Sequence, residues 1–293
     1  GGTTRGDRPR FGLCGGIATC DVMPSERGLI ALAIEDLIRQ VGQTKDERRH
    51  RLRCSCLEVY NEQCNDLLAP ERVNLKMFEK SDGSVQLPGL SEWDVEEGEH
   101  VELLLRAAER QRHVGSTSAN DRSSRSHLVC MLTVDSWARE KEDPNVPGIL
   151  VCPVAASALT SILQLVDLAG SERRQATGDA QGHHEGAMIN KSLLTLSTII
   201  HRLSEAGGGE GGFCDGAGYE RPHLPFRDSK LTRLLQPCLG GPANAVILAT
   251  IRQAATCIDE SLATLRFAVR ARRVLNVPGA SNSADASSAL LSR

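Results

Sequence analysis

At 293 residues, with 40% apolar but only 3% aromatic residues, the chain can form one large domain or two small ones around a core of aliphatic side chains. A net charge of −3 gives no global reason to expect nucleic acid, so an anionic partner would need a local basic patch. Ten cysteines without a C-x-x-C pair read as reduced thiols rather than disulfides or zinc ligands, and no run approaches the ~18 apolar residues of a membrane span.

Gly1 to Gly12 reads GGTTRGDRPRFG. Gly1 and Gly6 have the spacing of a phosphate loop, G-x-x-x-x-G-K-[ST], but Asp7 replaces its lysine and Arg8 its Ser/Thr. On these residues alone an ordinary Gly/Arg-rich terminus is favoured. The chain has no initiator Met and opens inside this loop, so a fragment or an incomplete gene model is expected. Ile30, Ile34, Leu37 and Val41 recur at helical spacing and predict a core-facing helix over 28–41. Leu52 to Tyr60 is β-like. Turn signals at Asp82-Gly83 and Pro88-Gly89 predict short strands within 72–95. Val101, Leu104, Leu105 and Ala108 predict a helix over 98–112.

A Ser/Arg-rich stretch, Gly115 to His127, precedes a strand run from Leu128 to Val134. Read blind, it is a solvated linker; a functional reading needs its hydroxyls for Mg²⁺ and a fixed Arg beside a phosphate. Residues 138–160 read as a loop, with Pro144, Pro147 and Pro153, and the apolar stretch 150–159 has no clear period. Leu163 to Glu172 then organises the chain. An apolar run ends in Asp167 and reaches Gly170 three residues later. Such a run suits a buried parallel strand that carries its acid to the sheet's ligand-binding edge. There Asp167 can hold Mg²⁺ through water, and the glycine lets an N–H approach a phosphate.

Residues 173–184 read as a mobile polar loop, and His183-His184-Glu185 as solvated side chains rather than metal ligands. Ile189, Leu193, Leu196, Ile200 and Leu203 predict a helix over 187–205. A glycine-rich loop at 206–218 follows, then a helix opening within 223–235 and stopped by Gly240-Gly241-Pro242. Val246 to Ile251 reads as a strand, and 259–274 as a helix carrying Arg266, Arg270, Arg272 and Arg273. The Ser/Ala-rich tail from Pro278 reads as disordered.

Six strings then stand in order: Leu57-Glu-Val-Tyr-Asn-Glu62, Asn120-x-x-Ser-Ser-Arg-Ser-His127, Leu165-Val-Asp-Leu-Ala-Gly-Ser-Glu172, Ile189-Asn-Lys-Ser-Leu-Leu194, Phe226-Arg-Asp-Ser-Lys-Leu-Thr-Arg-Leu-Leu235 and Leu262-x-Thr-Leu-Arg-Phe-Ala268. Together they resemble the kinesin motor domain over about residues 1–277, with 278–293 a disordered tail or the start of a neck. The resemblance implies an α/β, P-loop NTPase-like three-layer sandwich. Its sheet would be mixed and mostly parallel, with helices on both faces and the family's N-terminal strands missing. It implies ATP and Mg²⁺ as cofactors, microtubules (tubulin) as partner, and a cytoplasmic, cytoskeletal location. Nucleic acid and membrane are not implied. A dimer through a neck or coiled coil absent from this chain stays open.

Residue by residue, the resemblance makes 120–127 switch I and 167–172 switch II. Ser124 matches the Mg²⁺ ligand, and Ser123 sits near the γ-phosphate and the attacking water. Asp167 holds Mg²⁺ through water, the Gly170 N–H senses the γ-phosphate, and Arg125 pairs with Glu172 to close the switches. Gly1, Thr3, Gly6, Asp7 and Arg8 take the nucleotide-binding positions. The helix at 187–205 is the relay helix on the microtubule. Lys191, Arg227, Lys230, Arg233, Arg266, Arg270, Arg272 and Arg273 supply the basic face, and Asn276-Val-Pro278 stands where the neck linker begins. Two functional readings follow. The intact switches favour an ATP-hydrolysing microtubule motor. Asp7 and Arg8 favour a catalytically weak pseudomotor that binds microtubules, and they predict feeble ATPase activity for the chain as written.

Overall fold

The computed structural model describes residues 28–80, 84–114, 122–139, 141–143, 146–151, 159–170, 180–206 and 223–276. The glycine loop at the start, Glu172, the 206–218 loop beyond Ala206 and the tail from Pro278 lie outside them.

The chain opens with α1 (Leu29–Gln43), then β1 (Arg48–Tyr60) and β2 (Gln63–Asp66). Two-residue strands β3 (Phe78–Glu79) and β4 (Val85–Gln86) pair with each other, and β5 (Trp93–Val95) leads into α2 (Gly98–Val114). β6 (His127–Ala138) is followed by β7 (Lys141–Asp143), β8 (Val146–Val151) and β9 (Leu159–Asp167). Three helices close the described chain: α3 (Ala180–Ala206), the short α4 (Lys230–Leu234) and α5 (Ile258–Ala271).

The main sheet runs β2-β1-β6-β9, with β5 also on β1. Side chains alternate across it, as period two demands. Leu52, Leu128, Leu132, Leu163 and Leu165 face α1 and α2, whose Ile34, Val101 and Ala108 complete that core. Leu57, Val59, Val129, Met131 and Val166 face the other way, toward Met77 and Leu234. A third cluster joins Leu196, Ile199 and Ile200 of α3 to Phe267 and Ala271 of α5. Helices therefore cover both sheet faces, which buries β1 from Cys54 to Val59.

The helix over 28–41, the strands at 52–60 and 128–134 and the helix over 98–112 all form, each a few residues longer than its apolar period. Four expectations differ. Every described strand pair is antiparallel. The acid-tipped strand β9 is thus half-buried against an oppositely running β6 rather than buried in a parallel array. Residues 141–151, read as loop, form the antiparallel pair β7–β8. Pro147 misled the reading, because an edge strand tolerates a residue that cannot donate to a ladder. Residues 180–184, read as mobile loop, are the first turns of α3, which propagates through a polar Gly-containing stretch once its apolar turns are fixed. Finally, 246–251 forms no strand. A strand needs a hydrogen-bonded neighbour, and here Val246 and Leu248 stand 89% and 67% exposed.

Past α4 the chain turns at Gly240, whose φ of +75° suits glycine. Asn276 fastens this turn. Its Oδ1 accepts from the Gly240 N–H at 2.8 Å, and its Nδ2 donates to the Cys238 and Ala243 carbonyls at 2.9 and 2.8 Å. A Cβ on Gly241 would meet the Pro237 carbonyl oxygen at 2.5 Å, so backbone must move. Gly241→Ala is expected to cost about 1–3 kcal/mol, read as a lower urea midpoint; an unchanged midpoint would show that the turn yields freely.

Candidate functional site

Antiparallel pairing of β6 with β9 sets Leu128 opposite Asp167. The start of one strand and the end of the other therefore share one sheet edge. Each continues into a candidate loop: a 3₁₀ turn at Arg122–Arg125 before β6, and 168–170 after β9. The Gly170 N–H donates to the Ser124 carbonyl at 3.2 Å, a direct bond between the two expected switches.

Arg112, near the end of α2, ties them a second time. Its Nε donates to Ser126 Oγ at 2.9 Å, its Nη2 to the Ser126 carbonyl at 2.6 Å and its Nη1 to Asp167 Oδ2 at 2.8 Å. The Arg112 side chain is 7% exposed and that of Asp167 57%. A fork-shaped guanidinium suits this, because it reaches three acceptors without rearranging. Sequence reading missed Arg112. Its only signal was a cationic residue ending an amphipathic helix just before the Ser-rich stretch.

His127 makes a third tie. Its Nδ1 accepts the Ala169 N–H at 2.9 Å, which places the ring proton on Nε2, 2.8 Å from Ser192 Oγ of α3. Burial first, then the Arg112 charge, pushes the imidazole down to about 4, with Asp167 opposing. The ring is accordingly neutral near pH 7, as its acceptor role requires. One side chain thus joins the first residue of β6, the loop after β9 and the long helix.

Of the sequence-derived site residues, Ser124, Arg125, Asp167 and Gly170 gather at this edge, and Ser123 lies in the same 3₁₀ turn. Asp167 and the Ser124 hydroxyl are hard oxygen donors of the type Mg²⁺ prefers, and Asp167 is open to solvent. Glu172 and the loop residues Gly1, Thr3, Gly6, Asp7 and Arg8 lie outside the described residues.

The candidate basic residues sit on elements that pack together, α3 with α4 and α5. Lys191, Arg266, Arg270, Arg272 and Arg273 are exposed, while Lys230 and Arg233 are half-buried. Arg227 is exposed and pairs with Glu79 at 2.9 Å. Glu62, which ends the Leu57–Glu62 string, explains how α4 is seated. At a positive φ of 57°, its carboxylate accepts from Ser229 Oγ and the Lys230 N–H, both at 2.8 Å. Ser229 Oγ in turn accepts the Leu231 N–H.

Kinesin-like protein KIN-7I of Oryza sativa subsp. japonica is 43% identical over 254 residues, covering 86% of this chain and 19% of that protein. Kinesin-related protein 11 of Dictyostelium discoideum is 42% identical over 252 residues, 85% of this chain and 34% of that protein. The chain therefore spans between about a fifth and a third of these relatives' length. Among solved structures, a fast kinesin superposes with a TM-score of 0.71 at 32% identity, covering 91% of this chain and 67% of that one. A KIF14 dimer with AMP-PNP in complex with a microtubule gives 0.73 at 34%, covering 92% and 71%. Both carry the P-loop NTPase fold, so the architecture is that fold, seen here through its antiparallel part. A family model described as the kinesin motor domain matches residues 13–274, beginning after Asp7 and Arg8, and the chain belongs to that family.

Proposed function

We propose that this chain is the ATP-driven, microtubule-binding motor domain of a kinesin. The carrying observation is the triple tie at the β6–β9 edge: Gly170 to Ser124, Arg112 to Ser126 and Asp167, and His127 to Ala169 and Ser192. It links both switch loops to α3, so a change at one is felt at the helix assigned to the microtubule. Mg²⁺, when bound with ATP, supplies charge neutralisation on the transferring phosphoryl group. Ser124 and Asp167 would hold it, Asp167 through water, with Ser123 beside the attacking water. Gly170 would give its N–H to the γ-phosphate, and Arg125 and Glu172 would close the loops by pairing.

The basic residues on α3–α5 and their flanks would meet acidic tubulin, with a cytoskeletal, cytoplasmic location as the consequence. Assignment of Gly1, Thr3, Gly6, Asp7 and Arg8 to the phosphates rests on sequence spacing. Asp7 and Arg8 are also what favours the second reading, a microtubule-binding module with little hydrolysis.

ATP turnover by the intact protein, with and without microtubules, tests both. Stimulated turnover falling on the order of 10³-fold in Asp167→Asn, with co-sedimentation retained, is the expected result. Equal turnover in wild type and variant would sink the site assignment. Co-sedimentation without turnover in the wild type would favour the module.

A further inference from the structure

Asn61 and Glu62 alone turn the chain from β1 into β2, since Tyr60 and Gln63 are register partners. Both have positive φ, 51° and 57°. Positive φ at both central residues marks the type I′ hairpin turn, which favours Asn followed by Gly. Asn61 fits that preference. Glu62 stands where glycine would be relaxed. The other described non-glycine residue at positive φ is Asn74, of a type whose short amide side chain tolerates that region. A glutamate kept in such a conformation is held there by its partners, and strain so held points to a role.

The partners belong to α4. Ser229 is buried, and Leu231, Thr232 and Leu234 form the inward face of the helix. Leu234 packs with Leu57, Val59 and Cys64 of the same hairpin. Lys230 and Arg233, three residues apart, share another face and are half-buried. The Arg233 N–H donates to the Ser229 carbonyl at 3.2 Å, so the residue that Glu62 grips also begins the turn carrying both cations.

We infer that Glu62 is a positioning residue for microtubule binding: its carboxylate fixes the start of α4 and thereby the directions of Lys230 and Arg233. This rests on the proposed microtubule reading. Packed leucines alone leave a short helix free to roll about its axis. Two bonds to one carboxylate, from Ser229 Oγ and from the Lys230 N–H, remove that freedom. Cations oriented before binding lose less freedom on meeting their partner, which raises affinity. The bonds come from a hydroxyl and a backbone N–H, whereas Glu79 takes the Arg227 guanidinium itself. Glu62 thus aims the basic pair without capping its charged ends.

Charge and position give opposite expectations. By charge alone, removing an acid beside basic residues strengthens attraction to acidic tubulin. By position, losing the carboxylate weakens it. The test measures co-sedimentation of the intact protein with microtubules in one fixed nucleotide state, with urea midpoints alongside. Glu62→Gly relaxes the turn, which offsets the lost bonds and should keep the midpoint near that of the wild type. Its Kd should rise at least about fivefold. Glu62→Asn, also at ease with positive φ but too short to reach α4, should do the same, and it decides if the glycine variant fails to fold. Glu62→Gln still accepts from the Lys230 N–H and should stay within about twofold of wild type. A Kd unchanged or lowered in the glycine and asparagine variants overturns the inference, as does equal weakening in Glu62→Gln. Unfolding of both the glycine and asparagine variants would show a purely structural role and overturns it too. If the wild type does not sediment with microtubules, the proposed function fails and this inference with it; wild-type binding that Glu62→Gly leaves unchanged overturns the inference alone.

Discussion

Arg112→Met is expected to lower the unfolding free energy by about 2–4 kcal/mol and to remove microtubule-stimulated ATP turnover together. Methionine keeps much of the side chain's volume but none of its donors. The main loss is at Ser126, which is fully buried and receives two of the three bonds. A buried polar group deprived of its partner costs about 1–3 kcal/mol. The ion pair to Asp167 contributes less, because that carboxylate is 57% exposed and screened by water. Asp167→Asn separates the two roles: it leaves the Ser126 bonds in place, so it should abolish turnover with little change in stability. Urea midpoints decide the matter. If both variants unfold at the same denaturant concentration, the burial argument is wrong.

Acid is expected to destabilise the protein through His127. Burial holds its folded-state value near 4, below the ~6.5 of an unfolded histidine. Between those values the unfolded chain binds more protons, so stability is full above about pH 6.5 and falls as pH drops toward 4. The complete loss is on the order of 3 kcal/mol, with roughly 2 already gone at pH 5. His127→Asn should start less stable at pH 7.5, having lost the tie between Ala169 and Ser192, yet show a shallower decline. Carboxylates and His50, which is also held low by burial and Arg48, are common to both proteins and cancel in the difference. Parallel curves of midpoint against pH would rule His127 out as the titrating group.

What the sequence made legible follows from the range of the interactions concerned. α1, α2 and the second half of α3 carry apolar residues at helical spacing, a local signal, and the structure places helices there. The run Leu128–Val134 is apolar almost throughout, which marked a strand, and β6 buries Leu128, Cys130 and Leu132 on one face and Val129 and Met131 on the other. The β7–β8 pair is set by each strand's hydrogen-bonded partner, which outweighed Pro147. At 246–251 the residues are β-formers, but conformation depends on a partner strand that local sequence does not contain. The same limit applies at the site. Ser124, Asp167 and Gly170 were visible inside long strings of residues. Arg112 was not, since its acceptors lie 14 and 55 residues away. Glu62 was visible as part of a string, yet its role as the seat of α4 depends on Lys230, 168 residues distant.

The Gly170 N–H is already given to the Ser124 carbonyl, so in the proposed motor its recognition of phosphate would be a competition rather than a vacancy being filled. An incoming anion gains only the difference between its own bond and the one it displaces. With an internal bond worth about 1 kcal/mol net, that incumbent sets a threshold of several-fold in affinity. Weak or misplaced anions fall below it and leave the loops as they were. In the proposed motor, noise rejection would thus be built into a single backbone hydrogen bond, and no side-chain substitution at position 124 or 170 would remove it cleanly.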